Sequence, residues 1–249
     1  MKNQILNDLV TQNSVFAYVL HYFGISFYEY SDKTLEEVCA QKNLNVNKVI
    51  ANLKNAALSS SLNKHELIDY PIELIIEYLK HTHHHFAKYK LPFLNSIIRS
   101  FEEIHNCEYR SLLNDLVEIF PTFNQEFVEH IYEEEDELFG YVLELSKFIN
   151  GEKINENKII LSMSSHFLQR HAIDHGLHES GMEGIKKITK NYYTPPNAPV
   201  HLKVIMQSLK DFEDELLIHA KIENEIFFPK ALVIENKAKK LIEQKAKLN

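Results

Sequence analysis

The chain has 249 residues, a formal net charge of −8 and a sequence pI near 6.0, a balance that argues against a nucleic-acid partner, because such binders concentrate Lys and Arg. Six glycines and no tryptophan, in a chain rich in Leu, Ile, Glu and Lys, favour helices over sheets. Two cysteines, Cys39 and Cys107, offer no disulfide framework, and the start MKNQILNDLV shows neither a cleavable leader nor a membrane span, so a reducing cytoplasm is the expected compartment.

Residues 1 to about 60 read as short helices, since Gly24, Asn43, Asn45 and the cap-like stretch Ser31 to Thr34 break the apolar pattern every 10 to 15 residues. Ser59 to Tyr70, SSSLNKHELIDY, reads as a linker, which predicts a small helical N-terminal domain over 1–62 and a larger one over 63–249. Four long helical patterns follow, about 71–104, 109–148, 156–192 and 199–235, broken at Asn150-Gly151 and at Thr194-Pro195-Pro196. Pro92, Pro121 and Pro229 fall inside these patterns and should kink or locally break them. The expected fold class is all-α, an up-down four-helix bundle preceded by the small helical unit.

Chemistry concentrates on two of the four helices. His130 and Glu134 lie four residues apart in FVEHIYEEEDELFG, and His219 and Glu223 repeat that spacing in DELLIHAKIENEIFFP. One helical turn puts both members of each pair on one face. An imidazole suits Fe, Zn or Cu, while a carboxylate supplies charge and can bridge two ions, so a device present twice in one bundle points to a shared metal centre. On the α-helical period only Glu134 of the acidic run Glu133 to Glu137 points inward. The first and third helices carry further imidazoles: His81, His83, His84 and His85 on one, His166, His171, His175 and His178 on the other.

The stretches THHHFAKYKLPFL, HIYEEEDELF, HESGMEGIKKI, NYYTPP and HAKIENEIFFPKA resemble the hemerythrin-like domain of the Repair of Iron Centres family. Residues 4–55 are similar to that family's short N-terminal domain, seen best in YFGISF and TLEEVCAQKNLNVNKVI. The resemblance implies a di-iron centre, two oxo- or hydroxo-bridged and carboxylate-bridged Fe ions, with His84 eight residues before Pro92 as the first-helix ligand and His83 as the other member of the pair. It implies His130 and Glu134 on the second helix and His219 and Glu223 on the fourth. On the third helix, matching HESGMEGIKKI selects His178, and counting back from the TPP selects His175. Where the family's N-terminal domain carries an adjacent cysteine pair, this chain has Tyr28-Glu29.

The activity implied by the resemblance is cytoplasmic repair of iron–sulfur clusters damaged by nitrosative or oxidative stress, by iron donation. Its partners would be damaged iron–sulfur proteins and small molecules such as NO, O₂ or peroxide, with neither nucleic acid nor membrane involved and a homodimer left open. Two alternatives share the same centre: an enzyme reducing NO or peroxide, and a carrier or sensor of O₂ or iron.

Overall fold

A computed structural model describes residues 1–30, 32–58, 67–104, 109–164, 167–171 and 181–248. The regular structure of these residues is helical, with one isolated antiparallel bridge between Ile5 and Thr34. The chain is all-α, as its composition and periodicity predict. By backbone proximity it divides into two units. One holds Met1–Leu62, Phe86–Pro121 and Ile185–Asp214; the other holds Asn63–His85, Thr122–Gly184 and Glu215–Asn249. The boundary expected near residue 62 falls within 59–66, outside the described residues.

The first unit starts with the short helices Leu6–Gln12, Val15–Tyr22, Leu35–Gln41 and Val46–Leu58. Their ends follow from particular residues. Gly24 takes φ 70, and the amides of Gly24 and Ile25 donate to the carbonyls of His21 and Leu20. That closes the second helix with a left-handed residue at no steric cost. Asn43, at φ 54, closes the third in the same way, with Leu44 N–H donating to the Cys39 carbonyl at 2.8 Å. Thr34 starts that helix with a capping box: its Oγ1 accepts from the Glu37 amide, and a Glu37 carboxylate oxygen accepts from the Thr34 amide at 2.8 Å. Those donors hold the Glu37 carboxyl below its ordinary range. The cap is therefore complete above the ordinary carboxylate pKa and weakens as pH falls through the lowered one.

The four helices bury Leu6, Leu9, Leu20, Leu35, Val38 and Leu53, with Val15–Tyr22 packed on Val46–Leu58. Burial also pushes the free Cys39 thiol up, so it is a core residue, with little thiolate. Phe27 and Tyr28 lie against His201, Tyr28 stacking on its ring at 4.5 Å with 2° between planes. The His201 Nε2–H donates to the Ile97 carbonyl at 3.0 Å. His201 is thus a buried core histidine, and Tyr28 serves to pack its ring.

The second unit contains the helix Ile72–His85, the helical run from Thr122 to Ile149, the helix Glu156–Ser164 and the run from Glu215 to Leu248. Their core holds Ile75, Ile76, Leu79, Phe139, Leu145, Phe148, Ile159, Ile226, Phe227 and Ala231. Gly140–Ile149 packs directly on Phe228–Leu248, where the buried Ala231 and Ala238 let the two backbones approach. Tyr141 donates from its hydroxyl to Glu235 Oε1 at 2.7 Å. Burial and that carboxylate hold its phenol well above the ordinary value. The fourth run continues to Leu248, beyond the 199–235 expected from the pattern, so the Lys-rich end is helical.

Among the described residues, three of the long helices contain a π-helical turn: Phe86–Lys90, Glu134–Phe139 and Glu223–Phe227. Pro92 and Pro229 each stand two residues beyond such a turn. A proline removes the N–H that the preceding turn's carbonyl would accept, and a π-turn is one way a helix takes up the defect without stopping. Pro121 behaves differently: the helix Arg110–Glu133 runs through it without a break.

Candidate metal centre

Two of the three π-turns begin at a glutamate of the repeated motif. Glu134 and Glu223 are each the first residue of a π-turn, and His130 and His219 stand one α-turn before them. The third π-turn begins just after the histidine run that ends Ile72–His85.

These elements bring His83, Glu134, His219 and Glu223 together, all buried, with one ligand atom from each lying within 4.8 Å of the others. His83 Nε2 is 2.9 Å from His219 Nε2 and 3.4 Å from Glu134 Oε2. His219 Nε2 is 3.1 Å from Glu223 Oε1, and His130 Nε2 is 3.3 Å from Glu134 Oε1. The carboxylates of Glu134 and Glu223 are 2 % and 1 % exposed.

The aromatic residues behind the cluster fix its rings. Phe139 lies nearly parallel to His83, 5.7 Å between centroids and 12° between planes, and meets Phe227 edge-on at 5.2 Å. The helix Ile72–His85 packs on the π-turn Glu223–Phe227, which sets His83 against the fourth helix.

The donor set fits a cation. Two buried carboxylates are costly unless paired or bound to metal, and their imidazole neighbours carry charge only when protonated. Two nitrogens bound at right angles to one ion, each at about 2.1 Å, would stand roughly 3.0 Å apart. The two Nε2 atoms are 2.9 Å apart. Nitrogen and carboxylate oxygen together suit Fe or Mn better than a thiolate-seeking site would, and leave room for more than four ligands.

The residues singled out in the sequence divide plainly. Glu134, His219 and Glu223 lie in the cluster, and His130 touches it through Glu134. On the first helix the buried imidazole is His83, 1 % exposed, whereas His84 is exposed. His175 and His178 lie outside the described residues, as do His105 and His166. His171 packs against Phe167 at 4.5 Å. Sequence periodicity missed Glu135, whose Oε1 accepts from His83 Nδ1 at 3.1 Å.

No family model matches the chain. Among curated proteins it is 24 % identical to the iron-sulfur cluster repair protein ScdA of Staphylococcus epidermidis over 233 residues, 92 % of this chain and 98 % of that one. The ScdA of Staphylococcus haemolyticus is 20 % identical, over 91 % of this chain and 96 % of its own length. The iron-sulfur cluster repair protein YtfE of Citrobacter koseri is 24 % identical, over 82 % of this chain and 84 % of its own. Over nearly its whole length the chain is thus similar to proteins named for iron–sulfur cluster repair, and its paired His and Glu motifs resemble those of the Repair of Iron Centres family.

Proposed function

We propose that this chain repairs damaged iron–sulfur clusters by giving up iron held at the His83, His130, Glu134, His219 and Glu223 centre. The observation that carries the proposal is the convergence of buried imidazoles and carboxylates within 4.8 Å, in a chain that aligns with named repair proteins over most of its length. The reading takes two Fe ions, with Glu134 and Glu223 bridging, His83 rather than the exposed His84 as the first-helix ligand, and His178 or His175 from the third helix. Bound iron would supply redox cycling and an exchangeable metal.

The protein's own part is to hold and shield. Phe139 and Phe227 keep water from one side of the centre, the two glutamates supply the negative charge that retains a divalent ion, and the imidazoles set its orientation. No described helix is long and apolar enough to cross a membrane, and the proposed setting is the cytoplasm, with damaged iron–sulfur proteins as clients. Protein purified anaerobically from iron-replete cells should carry close to two irons per chain and restore activity to a nitric-oxide-treated cluster enzyme. A folded chain without iron would sink the reading, and multiple-turnover loss of NO without cluster recovery would move it to the NO-reducing alternative.

In the same proposal residues 1–62 form a small N-terminal domain. A fragment beginning at residue 64 keeps every described residue of the centre and loses Phe27 and Tyr28 from the face of His201. It should bind iron in the full-length ratio and melt at a lower temperature than the whole chain. Loss of iron binding in a folded fragment would show that the N-terminal helices help to build the centre.

A further inference from the structure

His83 meets two consecutive carboxylates of one π-turn. Its Nε2 lies 3.4 Å from Glu134 Oε2, inside the cluster, and its Nδ1 lies 3.1 Å from Glu135 Oε1. The two glutamates differ in setting: Glu134 is buried, and the Glu135 side chain is 28 % exposed. A carboxylate is an acceptor only, so a hydrogen bond at Nδ1 requires the proton to be on that nitrogen. The neutral ring then has its lone pair on Nε2, the atom that faces His219 and Glu134.

We infer that Glu135 is the positioning residue for His83: its carboxylate accepts the Nδ1 proton, selects that tautomer and turns the Nε2 lone pair into the cluster. Phe139, parallel to the ring at 5.7 Å, limits tilt, and Glu135 sets rotation in the ring plane. On an unbroken α-helix, residues 134 and 135 would point about 100° apart, one inward and one toward solvent. Here Glu134 opens a π-turn, and both side chains reach the same imidazole. Carboxylate partners of this kind raise the basicity of a metal-ligating histidine, and their loss typically costs roughly 10–100-fold in metal affinity.

The inference rests on the iron reading for its consequence but not for its geometry, and two measurements keep them apart. The first follows the ¹⁵N shifts of the His83 ring in full-length, metal-free protein. Wild type should be protonated at Nδ1, Glu135→Ala should shift toward the Nε2–H tautomer, and Glu135→Gln, which keeps an acceptor oxygen, should retain the wild-type form. The second is anaerobic Fe(II) titration with the melting temperature as a folding control. Glu135→Ala should bind about 10–100-fold more weakly at unchanged stability, with Glu135→Gln recovering most of the loss. An unchanged tautomer in Glu135→Ala, or unchanged Fe(II) affinity, would overturn the role of Glu135. Wild-type protein that takes up no Fe(II) while the tautomer responds as stated would sink the iron reading and leave the Glu135–His83 contact standing.

Discussion

Glu223→Leu should hold far less iron than the wild-type chain and yet, stripped of metal, should melt at a higher temperature. The two halves have one cause. Glu223 is 1 % exposed and lies 3.1 Å from the His219 imidazole, so without a cation its charge is sequestered from water at a cost. Leucine has nearly the same volume and none of that penalty, and the partner it leaves is an imidazole, which need not stay charged. Burying an uncompensated polar group costs about 1 to 3 kcal/mol on mutational scales, and leucine is spared that cost. For a chain of this length that is a rise of roughly 2–4 °C per kcal/mol. Iron affinity should fall by more than the roughly 10–100-fold that loss of a ligand's supporting partner costs, and by more than in His130→Ala, since in the proposed centre Glu223 would serve both ions. Iron analysis and calorimetry of the apo protein check both halves; a variant that keeps two irons would remove Glu223 from the centre.

Phe139→Ala should do the opposite to the fold. Phe139 is fully buried, edge-on to Phe227 and flat against His83. Truncation of such a ring costs about 3 to 5 kcal/mol through lost transfer energy and the cavity left behind, a drop of roughly 6–20 °C in melting temperature. Iron binding should weaken too, because His83 loses the surface that keeps it from tilting. Phe139→Leu, which refills much of the space, should recover most of the stability. A loss below about 1 kcal/mol for Phe139→Ala would mean that the site collapses around the gap.

The paired His and Glu motifs were legible because their spacing is one α-turn, and each pair spans the α-turn that leads into a π-turn whose first residue is its glutamate. The first-helix histidine was not legible in the same way. The resemblance places that ligand at His84, eight residues before Pro92, and the π-turn Phe86–Lys90 lies within that interval. Such a turn spends one more residue than an α-turn, and the buried ring is one position earlier, at His83. Glu135 escaped because the phase rule counts it as solvent-facing, whereas its side chain is only 28 % exposed and reaches the His83 ring. Helix ends were easier to read, because Gly24, Asn43 and Thr34 act through their own backbone preferences or side-chain hydrogen bonds and need no distant partner. His201 lay beyond sequence reasoning: only the approach of Tyr28 and the Ile97 carbonyl decides that it is core.

The three π-turns also bear on how such a chain tolerates change in length. Each carries a surplus residue, so losing one residue there, Asp136 for example, offers the helix a route back to ordinary α geometry without tearing its hydrogen-bond ladder. The α-turn so formed covers nearly the same rotation with one residue fewer, so the face that Gly140–Ile149 presents to Phe228–Leu248 would keep its partner, and the change would fall on the side chains inside the turn. Point substitutions can drift freely across the exposed sides of these helices. Single-residue deletions at the three joints are filtered instead by what they do to the side chains inside the turn, Glu134 and Glu135 among them.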